Sequence, residues 1–343
     1  MNASESTRFA IKAFGFGLML WIPLLGPLGW LLTGVAWLSP LVVFVAVPLL
    51  DFLIGDDRTN EAGSNGKRWA VYHDLVPHAY VMIWLACLVW TALLLTSDRL
   101  AVGERIGLMV AAGVASGFAT CAAHELLHRS RWADQSMARL TMAMCCYGHF
   151  VVEHLHHHAH AGRFEQGTVP GTGESLYAFI ARNVAFGARN AYRLGEAIRR
   201  RRGLRWSRNR VVQQHALSLA LGSLWTVGFG WTGLLLFLFQ ALIAIATVEL
   251  VQYFEHYGLV RQGAEALSAR HSWNSNGWLT NAITLNIARH SDHHLDARTP
   301  YQALQIVEQA PRMPLGYFGL TWLAVVTPVW RSFMGSRLQA GVE

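Results

Sequence analysis

The chain has 343 residues, 53% of them hydrophobic and only 14% charged, with a formal net charge of +7. Soluble globular proteins carry about 25% charged residues. The deficit, together with 14 Trp, 16 Phe and a positive mean hydropathy of +0.27, argues against a water-soluble domain and for a polytopic membrane protein.

A bilayer requires about 20 consecutive apolar residues, and the chain offers candidates in order. The first, roughly 12–34, is longer than the roughly 7–15-residue core of a secretory signal and has no A-x-A site after it, so it reads as a retained helix. The second, 36–55, runs through "LVVFVAVPLL" into Asp51 and the polar exit "IGDDRTN". Next come 78–97 and 101–122. The latter continues without a polar break into "HELLH", so a membrane-crossing helix carries histidines on its end. The last pair, 212–228 and 229–250, reads as a hairpin, as does the first pair.

Residues 123–211 are polar, and 182–210 hold ten arginines against the single acid Glu196. A loop of this kind sits on the cytoplasmic side and would also steer an acidic electron carrier. Nothing beside the charge reads bases, so nucleic acid is excluded as a partner. In the tail, 251–343, the apolar run 313–330 is short and holds Gly316, Gly319 and Pro328, which suits a membrane-surface or half-buried helix. The expectation is one all-α domain over 1–343 with about six transmembrane helices, its polar segments 123–211 and 251–343 in the cytosol.

The 16 histidines are clustered rather than scattered. His124-Glu125-Leu126-Leu127-His128 places two imidazoles on one helix face. Taken alone it also matches a zinc-protease signature. "VVEHLHHHAH" (151–160) holds His154, His156, His157, His158 and His160; "EHYG" adds His256; and "HSDHH" sets His290, His293 and His294 at i, i+3 and i+4. A catalytic zinc takes three protein ligands, whereas at least eight histidines compete here. Two ions with four or five nitrogen ligands each accommodate the count, and such ligation suits iron, zinc or copper. The four cysteines (87, 121, 145, 146) form no C-x-x-C pair, so no disulfide framework, thiolate zinc site or fused rubredoxin is expected. His73, His78 and His215 read as ordinary histidines. Glu125, Glu153, Glu255, Asp292, Asn274 and Asn276 lie beside the clusters and are candidate partners for the second ring nitrogens.

The stretches "HELLHR", "YGHFVVEH", "GESLYAF", "EHYGLVRQ", "HSWNSN", "RHSDHH" and "YQALQ", with "VPLLD" at 47–51, resemble the integral-membrane alkane hydroxylase family of the membrane desaturase and hydroxylase group, in order from about residue 40 to 335. The resemblance implies a six-helix fold with a nonheme di-iron site ligated by histidine, and insertion of one oxygen atom from O₂ into a terminal C–H bond. Its implied electron source is a rubredoxin or ferredoxin-type donor with an NAD(P)H-dependent reductase. Its substrate would be a hydrophobic small molecule reached from the membrane lipids, in a bacterial inner membrane. Carried over, the metal ligands would be His124, His128, His154, His157, His158, His256, His290, His293 and His294. The chain departs from the family at the second motif. There Glu153-His154-Leu155-His156-His157-His158 replaces E-H-x-x-x-H-H, and the Asp-Pro stretch that follows in the family is missing. The competing readings are an acyl desaturase or hydroxylase, an arene-methyl hydroxylase, an intramembrane zinc protease built on "HELLH", and a non-catalytic metal-binding protein.

Overall fold

A computed structural model describes residues 10–57, 59, 60 and 66–339; the first nine residues of the N-terminal stretch and Arg58 of "IGDDRTN" lie outside these. The chain opens with α1 (Ala10–Thr33), α2 (Leu38–Ile54), α3 (Gly66–Leu95) and α4 (Val102–His128). They are followed by α5 (Trp132–Met144), α6 (Phe150–His160), α7 (Leu176–Arg201) and α8 (Arg210–His256). The tail adds α9 (Trp278–Ile283), α10 (His290–Leu295), α11 (Tyr317–Ala324) and α12 (Thr327–Gln339). Among the described residues there are no strands, only the isolated bridges Asp56–Gly277 and Asn274–Arg312.

Four helices, α1, α3 from Trp69, α4 and α8, are long and apolar enough to cross a membrane, and the chain is an integral membrane protein. Leu32, Leu219, Val227 and Trp231 project outward from these apolar helices, a surface that lipid rather than water covers. The apolar tail run is two short helices, α11 and α12, parted at Val325–Val326.

α8 is one run of 47 residues, but Gly230 breaks it with φ 64° and ψ −158°, a conformation essentially reserved for glycine. The ring centroids of Trp225 and Phe237 are 6.4 Å apart. In an unbroken helix these positions would be separated by about 18 Å along the axis. The two halves therefore fold back on each other, as the expected hairpin requires, with the turn at Gly230 rather than between 228 and 229.

α4 is the central helix, packed against α1, α3, α5 and α8. Its sequence "GVASG" explains the closest of these approaches. A Cβ added at Gly117 would lie 2.8–2.9 Å from the Thr247 side chain, and one at Gly113 would collide with Ile243. Small residues four apart let two backbones approach closely. Residue numbers rise together along the contact, so α4 and the second half of α8 run parallel. Both deliver histidines, His124 and His256, at the same end.

Prolines leave carbonyls free, and the tail claims them. Pro48 has no N–H for the Phe44 carbonyl, and the Trp322 indole donates to that oxygen at 2.7 Å. Pro77 likewise leaves the His73 carbonyl, which accepts from the Tyr301 hydroxyl at 3.1 Å. A π-helical turn at Val42–Ala46 precedes Pro48. The arginine-rich block, expected as a loop, is largely helical: it forms the C-terminal half of α7 and the turn after it. Cations there complement the helix dipole.

Candidate metal centre

Four segments bring nine histidines together. His124, His128, His154, His158 and His293 form one set, and His157, His256, His290 and His294 a second; within each set one ring nitrogen per residue lies within 4.8 Å of all the others. The sets adjoin, with the His158 and His294 ring centroids 4.6 Å apart. These nine are the residues carried over from the resemblance. His156 and His160 turn aside: His156 Nε2 meets Gln166 Oε1 at 3.1 Å, and His160 Nδ1 lies 3.0 Å from the His156 carbonyl.

Helical periodicity distributes the histidines between the two sets. On α6 the i, i+4 pair His154 and His158 enters the first set while His157 enters the second. On α10 the i, i+4 pair His290 and His294 enters the second set and His293 the first. The H-x-x-H-H spacing of α6 thus matches that of α10, and a regular helix carries each.

The donor set fits metal ions. In the first set Nε2 atoms are separated by 2.9 Å (His128–His154), 3.0 Å (His154–His158), 3.1 Å (His124–His293) and 3.3 Å (His124–His128). In the second the separations are 2.9 Å (His290–His294) and 3.2 Å (His157–His294 and His256–His290). Nitrogens about 2.1 Å from one ion stand about 3.0 Å apart at a right angle and about 3.4 Å apart at the tetrahedral angle. Hydrogen bonding alone does not account for the convergence, because a neutral ring has one N–H and His154 Nε2 faces both His128 and His158. Burial, reinforced by neighbouring rings, pushes His154, His157, His158, His290, His293 and His294 well below the ordinary imidazole range. A shift in this direction favours the neutral ring that ligation requires.

The acids and amides beside the ligands divide by role. Glu255 accepts from the Tyr317 hydroxyl at 2.6 Å, and its other oxygen lies 3.1 Å from His290 Nε2. Glu153 is buried with Oε1 unpartnered; burial, then Glu249, pushes its carboxyl up to about 8. Glu153 and the remaining four candidates bond no ligand ring nitrogen here. Glu125 pairs with Arg129 one turn further on, at 3.0 Å. Asp292 accepts from the Gln305 amide at 2.8 Å. Asn274 accepts from the Ser291 amide at 2.8 Å, holding the start of α10. The Asn276 side-chain oxygen has no partner, while its carbonyl accepts from the Asp57 amide at 2.8 Å. The second nitrogen of His256 instead points to the His271 carbonyl at 3.4 Å.

Several supports escape a reading by adjacency. Arg289, fully buried beside His290, donates to Asp57 at 2.6 Å and to the Leu304 carbonyl at 2.7 Å. Asp51 accepts from the Leu279 and Thr280 amides at 3.0 and 3.2 Å, anchoring α9. Leu285 and Asn286, both at positive φ, turn the chain from α9 into α10. The run of buried polar residues after His256 signals this scaffold, but partners more than 200 positions away cannot be assigned from it.

An apolar cavity of about 120 Å³ opens onto both sets, touching His124, His154, His157 and His290. Its walls include Val43, Phe44, Val114, Phe118, Val248, Val251, Ile287 and Phe318. From His124 to Val114 it follows α4 for ten residues, or about 15 Å.

Residues 105–324 match the fatty acid desaturase family model. Alkane 1-monooxygenase 1 of Pseudomonas aeruginosa is 35% identical over 99% of this chain and 94% of its own. Alkane 1-monooxygenase 2 of the same organism is 34% identical over 99% and 96%. Alkane 1-monooxygenase 2 of Alcanivorax borkumensis is 30% identical over 90% and 84%. With the match spanning every histidine segment and nearly the whole chain, this protein belongs to the alkane 1-monooxygenase family within the fatty acid desaturase group.

Proposed function

We infer that the chain is a membrane monooxygenase that uses O₂ to convert the terminal methyl of an alkane or alkyl group to a primary alcohol. The observation that carries this reading is an apolar cavity ending on two sets of convergent, largely buried imidazoles. His124, His128, His154, His158 and His293 would hold one iron, and His157, His256, His290 and His294 the other. Bound there, iron supplies oxygen reduction and the oxidising power for an unactivated C–H bond. The chain's own residues do the rest. Valine, isoleucine and phenylalanine walls exclude water and align a linear chain along α4. The ring nitrogens at one end determine which carbon is presented. A protease reading would need one zinc and leaves the second histidine set without a role.

The topology we propose has six crossings: α1, the short α2, α3, α4 and the two halves of α8. The histidine segments 123–211 and 251–343 lie on the cytoplasmic side of a bacterial inner membrane, within a single domain. An external redox partner, for which we propose a rubredoxin or ferredoxin-type carrier with its NAD(P)H-dependent reductase, would be steered by the arginines of α7. The test is to supply the purified protein with reductant, ¹⁸O₂ and a panel of alkanes, alkylarenes and fatty acids, with metal analysis in parallel. Labelled primary alcohol and two irons per chain, one for each set, are expected. An alkene as the product, or one zinc with proteolysis, would overturn the reading.

A further inference from the structure

The cavity that receives substrate is apolar, yet the proposed reaction consumes protons. It balances as R–CH₃ + O₂ + 2 e⁻ + 2 H⁺ → R–CH₂OH + H₂O, with both electrons from an external one-electron carrier. Hydrocarbon walls do not conduct protons. A different part of the molecule is built to do so.

On the far side of α6 from the first histidine set, α6, α7 and α8 enclose a seam of buried polar side chains. Glu249, wholly buried on α8, accepts from the Tyr147 hydroxyl and, at 2.7 Å, from Asn183 Nδ2 on α7. His149 is 5% exposed, and neither of its ring nitrogens has a partner. Glu153 Oε1 and both side-chain polar atoms of Gln252 are buried and equally without partners. His149 and Glu153 both face Gly187: a Cβ there would lie 3.8 Å from His149 Nε2 and 3.4 Å from Glu153 Cγ. The seam has an outer end, since the ring of His149 is 6.0 Å from that of the exposed His215. It also has an inner end. Glu249, Gln252 and His256 share one face of α8, and Gln252 lines the cavity beside the metal centre.

Buried polar atoms in native proteins are satisfied by protein or by ordered water, and several orphans in one place mark a water site. We propose that this seam holds a chain of water running from His215 past His149 and Glu249 to the second histidine set, and that it delivers the protons the reaction consumes. This rests on the oxygen-reducing function inferred above. His149 and Glu249 pass the proton, Tyr147 and Asn183 orient the Glu249 carboxylate, and Glu153 contributes an acceptor oxygen to the lining. The charged and titratable groups facing Glu249 are Tyr147, Glu153 and Arg182; those facing His149 are Tyr147, Glu153 and His215.

Glu249→Gln and His149→Ala are the test, read by metal content, alcohol formed per O₂ consumed, and the rate ratio in H₂O against D₂O. E249Q keeps an acceptor for Tyr147, so metal content is expected to be unchanged. Alcohol formation should fall about tenfold or more, the scale of a lost acid–base group. Its solvent isotope effect should rise, with more of the O₂ released as peroxide. Imidazole added to H149A is expected to restore the rate, because the position lies next to the open end of the seam. Wild-type rate and isotope effect in E249Q would overturn the proposal. So would metal loss in E249Q together with no rescue of H149A. If the unaltered protein forms no alcohol, the function proposed above fails; if it does and the variants match it, only the seam fails.

Discussion

At the scale of single residues, His290 is placed by what its neighbour in sequence bonds to. His290 follows Arg289, a fully buried guanidinium that bonds Asp57 at 2.6 Å. Asp57 is also bonded by Lys12 at 2.8 Å. Replacing Asp57 by Ala leaves the guanidinium without its carboxylate in a dry site. Breaking a buried pair in this way costs about 3–5 kcal/mol. D57A is therefore expected to unfold at markedly lower temperature in detergent, and to retain less metal in the set that contains His290. Direct removal of a ligand separates the two sets. H294A is expected to lose metal from the four-histidine set and H293A from the five-histidine set, each abolishing hydroxylation. H160A, whose ring turns away, should keep both. Equal metal content in H293A, H294A and H160A by elemental analysis would sink the assignment.

At the scale of elements, registry between helices brings the ligands level. Gly117 lies against Thr247, seven residues before His124 and nine before His256. A larger side chain there forces the helices apart. Overpacking of this kind costs about 1–3 kcal/mol, and G117V is expected to show a lower melting temperature together with reduced metal retention. The start of α7 depends on charge. Its Ser175 side chain accepts from the Ala178 amide at 3.2 Å, and Glu174 meets Arg182 at 2.8 Å. Burial raises the Glu174 carboxyl, but the Arg182 guanidinium and the Gly171 amide outweigh it and hold it below the ordinary range. A carboxyl lowered in the fold stabilises above its unfolded pKa, and loses that contribution as pH falls through its folded value. E174Q should thus cost up to about 1 kcal/mol at pH 7 for this partly exposed pair. Thermal melts should show the difference from the unaltered protein shrinking below about pH 4.5, near the free carboxyl value.

At the scale of the whole molecule, the proposed substrate cavity runs along the apolar helices. Val114 lies ten residues from His124 on α4, and both line the cavity. V114F fills the remote end, so the alkyl chains that reach it lose their last contacts. Each excluded methylene is worth about 0.8 kcal/mol, roughly fourfold in binding. The expected outcome is a product profile shifted toward shorter alkanes with oxidation still at the chain end. Oxidation moving to internal carbons without loss of longer substrates would contradict the orientation of the cavity.

The sequence by itself determined the class and which histidines are candidate ligands. Hydropathy marks spans because lipid leaves backbone polar groups no partner except one another. Histidines at i, i+3 and i+4 share a helix face whatever surrounds them, so nine candidate ligands were legible from spacing and resemblance together. Their division between two sets was not, since His157 leaves its neighbours His154 and His158 only when α10 and the end of α8 arrive opposite it. Nor were the partners of Glu125, Asn274 and Asp292, because adjacency in sequence does not say which side of a helix meets what. The tertiary structure also decided the cavity, the buried Arg289–Asp57 pair and the polar seam around Glu249. Each joins residues far apart in the chain, through contacts that exist only once the helices have packed.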